Sequence, residues 1–154
     1  PGVPLAICLP ETHFILMDSL SKRVEFLSDV ISALQLNAEA VHLRAEDGAR
    51  RPEYRERFDI AVARAVAPMN LLAEYLLPFV RVGGRMLAYK GPALAEELAQ
   101  AQNALDILGG SVECDAPVDL PGRDWAHRLA VIAKIAPTPE KYPRKAGKPE
   151  KKPL

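Results

Sequence analysis

Short, continuous apolar runs alternate with stretches of helical period along this chain, and few architectures accommodate that alternation. HFILMD (13–18) carries four apolar residues in a row, the composition of a strand covered on both faces. From Ser21 to Leu36 the period changes: Val24, Leu27, Ile31 and Leu34 recur at helical spacing with charges between them. AEAVHLRA (38–45), DIAVARA (59–65) and RMLAYKG (85–91) read as further strands. PMNLLAEYLLPFV (68–80) reads as a helix opened by Pro68. ALAEELAQAQNALDIL (93–108) is the cleanest helix, with Leu94, Leu98, Ala101, Leu105 and Leu108 on one stripe and Gly109 and Gly110 ending it. GVPLAICLP, before the first strand, reads as a helix or its last turns. EDGARRPEYRERF reads as a polar loop with a short helical turn, and VGG (82–84) as a turn.

Strands separated by helices build a parallel sheet covered on both faces. The last step differs. SVECDAPVDL and HRLAVIAKI are extended runs separated only by PGRDWA, too short a connection for a crossover helix, so the two must be antiparallel. The expected fold is therefore α/β, a Rossmann-like and mostly parallel sheet ending in an antiparallel hairpin. That layout resembles the class I S-adenosylmethionine-dependent methyltransferases; a plain dinucleotide dehydrogenase does not need the hairpin.

At 154 residues and 49% hydrophobic, the chain is long enough for one domain with a real core. No apolar run approaches the ~20 residues of a spanning helix, and no leader peptide is visible, so a cytoplasmic protein is expected. Cys8 and Cys114 lie far apart without motif spacing, as plain thiols in a reducing compartment do. Net charge is zero but unevenly spread. Residues 137–154 hold six basic and two acidic residues, a net +4 that leaves −4 on residues 1–136, and five of the 14 prolines. The expected organisation is a core over 1–136 and a basic, proline-rich tail over 137–154. Such a tail suits a polyanionic partner, or is simply a solvated, frayed end.

In open parallel sheets, ligands sit beyond the carboxyl ends of the strands. Asp18 ends the first apolar run, where its two oxygens can accept both hydroxyls of a ribose; it can equally cap the helix that follows. The glycine-rich turn that precedes such an acid by about 20 residues in nucleotide-binding folds is not in the sequence. Pro1 and Gly2 look like the end of one.

Taken together, PGVPLAI, LMDSLSKRVEFL, RAE (44–46), FDIAVARAVAP (58–68), VGGRMLAYKG (82–91), HRLAVIAKI and the tail PTPEKYPRKAGKPEKKPL resemble the bacterial 16S ribosomal RNA guanine-N7 methyltransferases, the glucose-inhibited division protein B family. The pieces span almost the whole chain in order. The family's N-terminal helices, first strand and glycine-rich loop are the parts that find no counterpart, so an N-terminally truncated member is expected. The arginine-rich loop 47–57 and Met86 and Tyr89 depart from the family pattern.

The resemblance implies a role for each matched residue. Gly2 would end the methionine-binding loop, Asp18 would hold the ribose of S-adenosylmethionine, and Ala45 and Glu46 would flank its adenine. Arg64 matches a cofactor-binding residue, and Lys90 borders the place where RNA would enter. By their charge rather than by the match, Arg144 and Lys145 of the tail and Arg50, Arg51, Arg55 and Arg57 of the loop would contribute to RNA binding. Structural alternatives stand beside these: Arg64 as an ion pair, Glu46 as a helix cap, Lys90 as a solvated strand end. His13, His42 and His127 show no ligand spacing, so no metal is expected. Trp125 is either a loop anchor or a platform for a base.

The implied reaction is methyl transfer from S-adenosylmethionine to N7 of a guanine in 16S rRNA, or in the small ribosomal subunit that contains it. It would be performed by positioning rather than by a catalytic side chain, in a monomer. Two other classes remain open: a cofactor-free RNA- or protein-binding fragment, and an NAD-dependent oxidoreductase.

Overall fold

The structure, a computed structural model, describes the backbone of all 154 residues and every side chain except those of Leu120 and Asp124. In chain order the elements are α1 (Gly2–Cys8), β1 (Phe14–Asp18), α2 (Ser21–Leu34), β2 (Ala38–His42), α3 (Ala45–Gly48), β3 (Phe58–Arg64), α4 (Met69–Leu76), β4 (Val80–Lys90), α5 (Leu94–Leu108), β5 (Gly110–Leu120), β6 (Arg123–Lys134) and α6 (Lys148–Lys151). A 3-10 turn over Leu77–Phe79 joins α4 to β4.

β1 and β2 pair in parallel, and so do β3 and β4. β6 then lies antiparallel between β4 and β5, so the second sheet runs β3-β4-β6-β5. The α/β character, the parallel pairs and the terminal antiparallel hairpin all agree with the sequence. The single continuous sheet does not, because β1 and β3 are not hydrogen-bonded to each other.

Three local expectations need correction. VGG is not a free turn: Phe58 pairs with Val80 while Ile60 pairs with Arg85, so 81–84 form a bulge inside β4, with Gly83 at φ +86°. β2 stops at His42, and Ala45 already begins a helix. The hairpin connection is not six residues long but the two-residue turn Pro121–Gly122, where Gly122 takes φ +74°.

The core lies between the second sheet and the α4–α5 pair. Met69, Leu72 and Leu77 face Met86, Ile132, Leu94, Leu105 and Leu108, all at 0–2% exposure. α5 buries the stripe its period foretells, with Leu98 only partly covered. α2 is less buried: Val24 is inside, whereas Leu34 and Phe26 are exposed. Gly109 ends α5 in the left-handed region at φ +78°, and a Cβ there would come within 2.1 Å of the Ala136 carbonyl oxygen. Only glycine allows the chain leaving β6 to pass so close to the end of α5.

Residues 137–154 do not fray. Thr138, Tyr142, Pro143 and Pro149 are buried against the core. Arg55 donates to the carbonyls of Thr138, Pro139 and Tyr142, and Arg50 to those of Lys141 and Pro143. Lys134, 1% exposed, donates to Thr138 and to the Leu77 carbonyl and pairs with Glu56 at 3.0 Å. Burial holds the Lys134 ammonium below the ordinary lysine range, with Glu56 opposing that shift.

Candidate functional site

The first group of residues lies at the carboxyl ends of β1 and β3 and on α1 and α3. Asp18 closes β1 in register with His42 of β2. Its Oδ1 accepts the Leu20 N–H at 2.9 Å, and its Oδ2 has only a 3.4 Å contact with exposed Arg23. The first is a turn bond to the residue before α2, which has no side-chain cap, so the helix-capping alternative is not realised; the other oxygen keeps most of its accepting capacity.

Gly2 opens α1 against β1: a Cβ on it would strike the Leu16 side chain at 2.3 Å. Next to it, Pro1 has the Arg64 guanidinium within electrostatic reach. The start of α1 therefore stands between β1 and the end of β3. Arg64 is exposed, and among the described residues no carboxylate lies within ion-pair distance of it. The structural ion pair weighed for Arg64 is absent from the described contacts.

α3 carries Ala45 and Glu46. Glu46 is 5% exposed yet makes no capping hydrogen bond to its own helix, so the capping alternative is not what holds it. It lies close enough to Tyr75 of α4 to help raise that phenol's pKa, after burial as the main cause. Gly48 sets the seat of α3, because a Cβ there would meet Met17 of β1 and Phe79 at 3.0–3.1 Å. Met17 precedes Asp18, so α3 flanks the same end of β1.

Lys90, at the end of β4, is neither solvated nor free for phosphate. Its side chain is 9% exposed, and its Nζ donates to Glu97 Oε2 and to the Ala67 carbonyl, each at 2.6 Å. The same Glu97 oxygen accepts the Met69 N–H at 2.9 Å. One carboxylate oxygen thereby ties the end of β4 and the start of α4 to α5, and fixes the loop 65–68 that follows Arg64. That loop has Ala65 at φ +55° and leaves Val66 61% exposed. Glu97 escapes a reading of motifs. The only signal for it is an acidic residue in the first turn of a helix that starts just past a strand-ending lysine.

Arg144 is also committed. Its guanidinium grips Glu74, 1% exposed, at 2.6–3.2 Å, and its own N–H reaches the same carboxylate at 2.7 Å. Arg50 and Arg55 are spent on tail carbonyls, so the arginine-rich loop is in large part a clasp for the chain's end. Lys145 is exposed, as are Lys141, Lys148, Lys151 and Lys152. The structure thus sets Asp18 at the carboxyl end of β1 and Arg64 at that of β3, packs Gly2 on β1 and α3 with Ala45 and Glu46 against Met17, holds Lys90 at the end of β4, and sets Arg144 and Lys145 in the tail that packs on α4. Among the described residues no helix is long and apolar enough to cross a membrane.

The GidB family, described as rRNA small subunit methyltransferase G, matches residues 1–115. A curated relative from Alkaliphilus oremlandii, named ribosomal RNA small subunit methyltransferase G, is 52% identical over the whole of this chain. The chain spans 65% of that relative's length. Among solved structures, an rRNA methylase from Streptococcus thermophilus superimposes with a TM-score of 0.59 at 18% identity, covering 83% of this chain and 78% of that one. A mutant of MtNAS in complex with S-adenosylmethionine gives 0.61 at 13% identity, covering 88% of this chain and 50% of that one. These likenesses fix the fold as that of the Rossmann-like methyltransferases.

Proposed function

We infer, because the chain belongs to the GidB family of rRNA small subunit methyltransferase G, that it is the larger part of a cytoplasmic, monomeric enzyme. The reaction is methyl transfer from S-adenosylmethionine to N7 of a guanine in 16S rRNA, met as free RNA or within the small subunit. The observation that carries this reading is the set of groups at the strand ends. An acid with an unspent oxygen ends β1, a buried glutamate sits on α3, and an exposed arginine ends β3 beside a pinned loop.

The residues present fit the cofactor. Asp18 Oδ2 can accept the ribose hydroxyls while Oδ1 keeps the Leu20 N–H. Glu46 and the Ala45 backbone offer acceptors and a donor for the adenine edge, and Gly2 keeps a side chain out of the space beside Leu16. When bound, the cofactor supplies a methyl group on a positively charged sulfur, already activated for transfer. Guanine N7 presents an in-plane lone pair and no proton, so the chain needs no general base. Its residues have only to align acceptor and methyl in line, and such positioning supplies about 7–11 kcal/mol. Lys90 and Glu97 serve that alignment by holding loop 65–68 still. The exposed tail lysines, Lys145 among them, add counter-charge for phosphate, and because each neutralised phosphate releases counterions, binding falls as salt rises.

The test is incorporation of a labelled methyl group into small-subunit RNA by the full-length protein, followed by mapping with chain cleavage selective for N7-methylguanine. Absence of label, or label elsewhere than at a guanine N7, refutes the assignment.

A further inference from the structure

We propose that the tip of the β5–β6 hairpin is a stacking site for an unpaired RNA base, with Trp125 as its platform. The proposal rests on the reading of the substrate as RNA, and says which part of the surface receives a nucleotide other than the one methylated.

Side chains alternate along a strand, so Arg123, Trp125 and His127 share one face of β6. They form one cluster: the Arg123 guanidinium carbon lies 5.2 Å from the centroid of the indole, and the His127 ring meets Trp125 edge-to-face at 5.4 Å. The indole is nevertheless 52% exposed. A ring that only anchored the turn would be covered by it; this one is held in place by its neighbours and left open to solvent. Beside it is a recess of about 200 Å³, walled by Pro92, Pro117 and His127 and edged by Asp119.

The register places the recess. Lys90 pairs with Arg128, and the strand residues 123–127 run on past the carboxyl end of β4. Arg64 pairs with Tyr89, so the hairpin tip projects beyond the same rim that carries Arg64 and loop 65–68. Pro92 in the wall follows directly on Lys90 and Gly91.

The chemistry selects a base rather than a phosphate or an apolar peptide. Arg128 is neutralised by Asp115 at 2.6 Å and offers no free charge to the recess. Asp119 repels phosphate but accepts N–H groups from a base edge. An indole flanked by a guanidinium and an imidazole is the composition on which unpaired bases stack, sequence-tolerantly, because every base has a π face. Arg123 at the edge of the cluster remains for the phosphate that follows.

Trp125 is the chain's one tryptophan, so it reports on its own contacts. The experiment titrates the full-length protein with a short unpaired oligoadenylate and, separately, with inorganic polyphosphate of equal charge. The difference in emission between wild type and Trp125→Phe isolates Trp125. Oligoadenylate is expected to quench that signal saturably and polyphosphate, which can reach only Arg123, to quench it far less. Trp125→Leu is expected to weaken oligoadenylate binding about 5- to 150-fold, and Trp125→Phe to retain most of it. Binding of S-adenosylmethionine should be equal in all three proteins. Equal quenching by polyphosphate, no quenching by oligoadenylate, or wild-type affinity in Trp125→Leu would overturn the proposal. Failure of methyl transfer in the wild type would strike the functional assignment instead, and leaves the quenching result readable.

Discussion

Arg144 binds Glu74 with its backbone N–H and its guanidinium together, and the glutamate is 1% exposed. An arginine from the basic tail is thus the counter-ion of a carboxylate sunk in α4. Removing one partner of a buried pair leaves the other charge uncompensated, which costs about 3–5 kcal/mol. Arg144→Ala is expected to lose that much in urea unfolding, while Lys145→Ala, one residue on and exposed, should stay within about 0.5 kcal/mol of wild type. Equal stability of the two variants would show that the tail is not clasped in solution.

Glu97 holds both Lys90 and the Met69 N–H with one oxygen. Glu97→Gln keeps the shape and weakens both bonds, so loop 65–68 should loosen. Methyl transfer by the full-length protein is expected to fall about 10- to 100-fold at saturating substrates, as a displacement near 1 Å does to an aligned reaction. Affinity for S-adenosylmethionine should not change. A variant with wild-type kcat would remove the clamp from the mechanism.

Asp18 serves two masters, a backbone N–H and the proposed ribose. Asp18→Asn retains an acceptor for Leu20 and drops the charge, whereas Asp18→Ala loses both functions. Hydrogen bonds to a charged group contribute about 1.5–3 kcal/mol, so Asp18→Ala should bind the cofactor about 10- to 150-fold more weakly by calorimetry, with Asp18→Asn between. Unchanged affinity in the alanine variant would end the ribose assignment.

Two buried groups give stability opposite slopes in alkali. Lys134 has its pKa lowered, chiefly by burial. Between that lowered value and the unfolded value near 10.4, the unfolded chain holds a proton the folded one lacks, so stability rises with pH. Tyr75 has its pKa raised, first by burial and then by Glu46 and Glu150. Above about 10 the unfolded chain gives up a proton the folded one keeps, so stability falls. Urea midpoints should therefore climb toward pH 10 and drop beyond it. Tyr75→Phe should abolish the drop alone; a drop that persists in that variant would assign it elsewhere.

Deleting the tail would remove Tyr142 from the core, strip Lys134 and Glu74 of their partners Thr138 and Arg144, and so would confuse folding with binding. Replacing Lys145, Lys148, Lys151 and Lys152 with Gln removes charge without removing packing. RNA affinity should fall and the slope of its logarithm against log salt should flatten by roughly the number of phosphates lost. An unchanged slope would take these lysines out of the RNA contact.

Periodicity made the layers legible. HFILMD and RMLAYKG both form strands, although β1 is only partly covered with Leu16 alone buried, and the stripe from Leu94 to Leu108 is buried as spaced. A polar residue that ends such a run, as Asp18 and Arg64 do, marks the carboxyl end of its strand. Pairing across long sequence distances was not legible. Glu74 stands alone in NLLAEYLLPF, and Lys134 in LAVIAKIAP; a single charge in an apolar run announces a buried partner without saying which. Arg144 and Glu56 are 70 and 78 residues away from those charges, and charge counting alone read the tail as solvated. Lys90 was misjudged on the same ground, because its partner Glu97 belongs to the next element.

The position of β6 between β4 and β5 sets an order of events during synthesis. β5 leaves the ribosome before the strand that will separate it from β4, so it cannot settle until β6 arrives. The clasp of Arg50 and Arg55 then waits for residues 138–143, and Glu74 for Arg144. Much of this molecule's integrity is therefore deferred to residues translated after β6, and a ribosome that stalls before Arg144 would release a nascent chain in which the buried Glu74 carboxylate has no counter-ion.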